Sequence, residues 1–178
     1  MIKNKHGFTL VELLAVIVVL AIVMLVAVQS VLPQMEKARR QTLALDAQTA
    51  IESANTYFMN MSLSQPAKGF PSSESDPRCV SIDDLKSEGY FSTKGNYEGS
   101  VQVSKNGNNY LFKVWLMKDQ LMIMGAGSDG NENKQIVAGD TDGAEGNNVV
   151  SYDESVWKGS ASEKSKYAGN NCGIAIKN

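Results

Sequence analysis

Four sets of side chains in this 178-residue chain have types and spacings that could do chemistry. Glu12 is an acid at the edge of a run in which every residue from Leu13 to Val28 is apolar. A carboxylate placed there is costly in a membrane and calls for a partner or a task. Cys79 and Cys172 are the only cysteines; in a compartment that permits disulfides they either pair or remain two free buried thiols. Asp129, Asn131 and Asn133 match the D-x-N-x-N opening of a calcium loop. The match then fails, because the sixth position is Lys134 instead of glycine and the twelfth is Asp140 instead of glutamate. These three are weak calcium candidates in what reads as a plain surface loop, and no metal is expected. Lys37, Arg39 and Arg40 lie just past the apolar run. They are either solvated, or meet lipid headgroups in the inserted chain and an acidic neighbour in an assembly.

The elements that must position these groups begin with the first thirty-odd residues. Lys3 and Lys5 precede the apolar run, the pattern of a secretory signal or a signal anchor. Phe8 to Leu32 as a helix would be about 37 Å long, enough to span a hydrocarbon core of about 30 Å. The basic residues keep the N-terminal end cytoplasmic and place the bulk of the chain outside. Val28-Gln29-Ser30 makes only a poor site for ordinary signal cleavage. A plain anchor leaves Glu12 unexplained, unless the acid lies shallow and favours the helix N-terminal dipole.

The stretch K-x-K-H-G-F-T-L-V-E-L-L-A-V-I, from Lys3 to Ile17, resembles the class III signal sequence of type IV pilins and pseudopilins. The resemblance covers Met1 to about Leu32. It implies a leader of residues 1–7, cut after Gly7 by a prepilin peptidase, and N-methylation of the new terminal residue, Phe8. It also gives Glu12 a role. The Phe8 amine of an incoming subunit meets a Glu12 carboxylate, so a charge without a partner in the membrane becomes a paired one. Such a pair suits register and recruitment better than raw stability. Many pilins carry a proline at the position of Gln29. Here Pro33 comes slightly later, and the expected helix kink moves with it. Many pilins also fasten the C-terminal region with a disulfide, which favours a Cys79–Cys172 bond.

Past Pro33, Ala47, Ile51, Ala54, Phe58 and Met61 recur at helical spacing and form one apolar face, expected in the core. A nearly continuous helix is expected from about Phe8 to Met61. Ser81 to Gly89 reads as a short capped helix. Its Asp84, Leu85, Gly89 and Tyr90 also resemble the D-L-x-x-x-G-Y stretch of pilin heads. Ser100–Ser104, Tyr110–Met117 and Leu121–Gly125 read as strands joined by short turns. The expected fold is α+β, a long N-terminal helix against an antiparallel sheet. Its divisions are leader 1–7, apolar half 8–32, amphipathic half 33–62 and head 63–178. Trp115 and Trp157 are expected in packing rather than stacked on sugars or bases. Asn60-Met61-Ser62 is a chance-level glycosylation triplet.

Composition narrows the function. The only histidine, His6, leaves with the leader, so the mature chain has no imidazole base or ligand. No G-x-S-x-G or phosphate loop stands in its place. Neither enzymatic activity nor a cofactor is expected. A formal net charge of −2 gives no reason to expect nucleic acid as a partner. The expected role is a structural subunit, a major pilin, polymerising into a pilus for adhesion, motility or aggregation. Its expected partners are other copies of itself, the prepilin peptidase, the assembly platform with its ATPase-driven machinery, and membrane lipid before assembly. The alternatives are a minor pilin or pseudopilin of a secretion or DNA-uptake machine, and an anchored extracellular binding domain that never polymerises.

Overall fold

A computed structural model of the chain describes residues 7–127, 136–144, 146 and 148–152. The chain divides into two compact units, residues 1–38 and 39–178. Helix α1, Leu10–Ser64, supplies residues to both. It starts two residues later and ends three residues later than the sequence suggests, and Pro33 lies within it. In the first unit the apolar side chains of α1 are all exposed. It is the one helix among the described residues long and apolar enough to cross a membrane.

The second unit is a two-layer α+β head. The expected face of α1 does turn inward: Ala47, Ala54 and Phe58 are buried, and Ile51 and Met61 are half-buried. Leu43, Ala44 and Ala50 join them. The many alanines leave room for the bulkier Leu85, Phe91 and Tyr97 in the same core cluster. Opposite lies a five-stranded antiparallel sheet whose strand order is its sequence order: β1 (Arg78–Ser81), β2 (Glu98–Asn106), β3 (Asn109–Lys118), β4 (Leu121–Gly127) and β5 (Val149–Ser151). Val80, Val101, Val103, Val114, Leu116, Ile123 and Val149 form its core face, at alternate ladder positions. Helix α2 (Ile82–Ser87) is capped by Ser81, whose side-chain oxygen accepts from the Asp84 N–H. The helix stops before Gly89 at φ 80°, a conformation that glycine adopts freely.

The two-residue turns between β2 and β3 and between β3 and β4 fall where the sequence places them. Strands β1 and β5 are additions. One hides after three prolines and merges into the cap of α2, and the other is three residues long inside the Gly/Asn-rich stretch. Neither has enough residues to display an alternating pattern.

Two polar clasps join α1 to the sheet. Asp46, nearly buried, accepts from the Tyr97 hydroxyl at 2.6 Å, and Lys118 Nζ donates to that hydroxyl at 2.6 Å. Lys118 also lies over the Tyr97 ring, 4.6 Å from its centroid. Burial above all, and then the bond to Asp46, raise the Tyr97 pKa well above that of an ordinary phenol.

The second clasp corrects the reading of Arg40 as a solvated or lipid-facing residue. Arg40 is 3% exposed. Its Nη1 donates to the Val149 carbonyl at 2.8 Å and lies 2.7 Å from Asp142 Oδ1. Asp142 also accepts from the Ser151 N–H at 2.9 Å. The guanidinium therefore ties α1 to β5 and to the loop before it. The Ser151 hydroxyl first, and the Arg40 bond after it, hold the Asp142 carboxyl below its ordinary value of 3.8.

Cys79, on β1, is disulfide-bonded. Cys172, Trp157 and the calcium candidates Asp129, Asn131 and Asn133 lie outside the described residues.

Two outcomes are expected. Arg40→Leu keeps the apolar stem but strands the Val149 carbonyl, and should lower the unfolding free energy of the solubilised chain by about 2 kcal/mol in urea titrations. A lowered folded pKa means that the Asp142 contribution is complete above its unfolded value and fades as pH falls through the folded one. The gap in urea midpoint between the wild type and Asp142→Asn should therefore be widest above pH 4 and should close below it.

Candidate processing and assembly site

Gly7, Phe8 and Thr9 are non-helical, and α1 begins at Leu10. Thr9 is the N-cap and Glu12 the third helical residue, so T-L-V-E forms a capping box. The Thr9 hydroxyl oxygen accepts from the Glu12 N–H at 3.3 Å. Glu12 Oε2 accepts from the Thr9 N–H at 2.8 Å and from the Thr9 hydroxyl at 2.9 Å. The helix closes behind it with the Leu13 N–H donating to the Thr9 carbonyl at 3.2 Å. Backbone donors left open at a helix start are satisfied in this way, and a carboxylate in the first turn also suits the helix dipole.

The box fixes where the helix can begin. Thr9 must leave helical geometry to cap, so the Gly7–Phe8 bond falls outside the helix, with Phe8 and Thr9 between it and Leu10. A protease needs accessible backbone outside regular structure, and Gly7 and Phe8 are both non-helical and exposed. A side chain added at Gly7 would have open space around it. Phe8 is 87% exposed. The structure thus places Gly7, Phe8 and Glu12 within one short stretch around the helix start. Thr9 was absent from the sequence-derived site, although the T-x-x-E spacing that announces it is plain in the sequence.

Elsewhere the candidates separate. Among the described residues no group of three or more His, Cys, Asp or Glu side chains could hold a metal ion. Trp115 is buried. Tyr110 is more open than Trp115, 41% exposed, and stacks on Phe70 with ring centroids 4.2 Å apart. Asn60 of the glycosylation triplet sits within α1 and donates to the Tyr90 hydroxyl at 2.9 Å.

Comparison with curated proteins and with solved structures found no match. A family model does match at the N-terminus, the prokaryotic N-terminal methylation motif, over residues 2–28. Those residues contain the non-helical Gly7–Phe8 bond, the Thr9–Glu12 box and most of the exposed apolar run. The chain therefore carries, over residues 2–28, the prokaryotic N-terminal methylation motif, which is the class III signal sequence of type IV pilins.

Proposed function

We propose that this chain is a structural subunit, a major pilin, that polymerises into a type IV pilus after loss of residues 1–7. The observation that carries the reading is the capping box between a non-helical Gly7–Phe8 bond and an unburied apolar helix. Cleavage after Gly7 by the prepilin peptidase leaves the whole apolar helix on the mature protein and creates an amine at Phe8, which is then methylated. Until assembly the helix stays in lipid with the head outside. A helix so apolar, with so little of it covered, is stable in only two surroundings, lipid or the same helix from other copies.

Glu12 supplies the selectivity. Before assembly its carboxylate is held by the N–H and the hydroxyl of Thr9. On addition of a subunit it exchanges part of that hold for the Phe8 amine of another copy. The assembly platform and its ATPase-driven machinery move the subunit from membrane to fibre, and the filament then serves adhesion, motility or aggregation. The type IV pilin family is structural, not enzymatic, in keeping with a mature chain that has no histidine.

Shearing surface filaments and reading the intact mass and first residue tests this directly. Abundant protein beginning with methyl-Phe8 is the expected result. An intact Met1 sinks the reading in favour of a static anchor, and a processed chain scarce in filaments moves it to a minor pilin or pseudopilin. Glu12→Ala should leave cleavage intact and cut the sheared yield at least tenfold. Thr9→Val, which keeps the shape and deletes the hydroxyl, should lower the yield less than Glu12→Ala, as measured by immunoblot of sheared and cell-bound fractions.

A further inference from the structure

The head half of α1 has a second face that the sheet does not use. Opposite the buried Ala47, Ala50 and Ala54, the residues Leu45, Thr49, Glu52, Thr56, Met59 and Leu63 are all exposed. They follow one another in alternate steps of four and three. That is a 3.5-residue repeat, which keeps them in one stripe about 27 Å long. Leu45, Met59 and Leu63 are 62%, 55% and 86% exposed.

A helix face made for water carries charges of both signs. From Gln41 to Gln65 the chain has no lysine or arginine. Its two acids there are Asp46, which is bonded to Tyr97, and Glu52. The polar side chains beside the stripe bond into the head. Gln48 donates to the Ile136 carbonyl and Asn60 to the Tyr90 hydroxyl, and Ser62 donates to the Phe58 carbonyl while accepting from the Phe70 N–H. The threonines are satisfied within the helix. Thr49 donates to the Leu45 carbonyl and Thr56 to the Glu52 carbonyl, each at 3.0 Å. A threonine bonded in this way has no donor left for water and is little more polar than valine. Threonine is also a poor helix former on an exposed face, so packing has to justify its repeat here.

We propose that this stripe is a docking seam for α1 of a second copy of the chain, lying nearly parallel to the first and staggered along it. The proposal rests on the fibre reading above. That reading brings the apolar halves of α1 from several copies together, so the head halves of the same helices follow alongside. Lipid is not the occupant: residues 8–32 already span a hydrocarbon core, and the stripe starts thirteen residues past Leu32. The repeat suits a second helix, which it faces at a crossing angle of about 20°. Long side chains at Leu45 and Met59 alternate with short ones at Thr49 and Thr56, so two such ridges can interlock. Glu52 sets the stagger. Copies inserted in one membrane point the same way, and parallel seams without a shift would set Glu52 against Glu52. A shift of one heptad, about 10 Å, removes that repulsion and keeps the seams facing. A shifted contact is heterologous, so each added copy offers a fresh seam to the next.

The test uses the full chain in cells that assemble it. Benzoylphenylalanine at Thr49, and separately at Met59, should photo-crosslink in sheared filaments to residues 41–64 of another copy, centred one heptad from the probe. The same probe at Asp83, exposed on α2, should not. Adducts confined to the probe's own chain, residues 153–178 included, or to other surfaces of a second copy overturn the seam. Adducts centred on the probe's own position overturn the stagger. Thr56→Lys and Met59→Lys should each cut the sheared yield at least fivefold, with cleavage after Gly7 and the urea midpoint of the solubilised chain unchanged. Thr56→Val should keep the wild-type yield. A solvated face accepts lysine, so wild-type yield from both lysine variants overturns the seam. If lysine lowers the urea midpoint, the crosslinks in the otherwise wild-type chain decide. Absence of any filament from wild-type cells sinks the fibre reading and the seam with it, whereas filaments without the seam adducts remove the seam alone.

Discussion

A helix satisfies its own backbone hydrogen bonds, and that property lets one element work in two solvents. α1 uses it. Through Leu32 its side chains suit lipid on every side, and from Leu43 onward a single face suits a protein core. No change of backbone geometry is needed for the change of surroundings; only the side chains differ. The rest of the head depends on this, because among the described residues no other helix of comparable length packs against the sheet. Pro33 falls between the two regimes, where its missing N–H costs one hydrogen bond without ending the helix.

Within that frame the buried polar groups act as locators. The apolar contacts between α1 and the sheet are non-directional and would tolerate some sliding. Asp46 and Arg40 are not so tolerant. Each needs a particular partner at a particular distance, and the partners lie on the Tyr97 loop, β3 and β5. A shift along the helix by one turn would leave a buried charge without its donors or acceptors, which costs far more than the apolar contacts could return. Packing supplies the attraction, and these two clasps supply the register.

What the sequence disclosed follows from the range of the interactions involved. The cleavage and capping residues lie within six positions of one another, and the Ser81 cap, Gly89 stop and two-residue turns are equally local, so adjacent residue types carry the signal. The apolar stripe from Ala47 to Met61 was legible because its period needs no partner to be read. Arg40 was not, because its partners are 109 and 111 residues away and a basic residue beside a membrane run looks solvated. β1 and β5 were hidden for a related reason: strands of four and three residues are defined by the neighbours that pair with them. Thr9 is the exception, a local signal overshadowed by the acid three residues on.

The order of the strands carries a consequence for how the head is made. Each strand pairs with its neighbour in sequence, so every ladder can close as soon as the next stretch of chain is available, with little loop entropy to overcome. A tie that spans most of the head runs from Arg40 to β5, and β5 is too short to hold itself in place. The meander can therefore form first, and the last strand is captured by a guanidinium that has waited on the helix since the beginning of the chain. For a protein whose helix emerges before its sheet, the earliest part made serves as the mould on which the latest part is set.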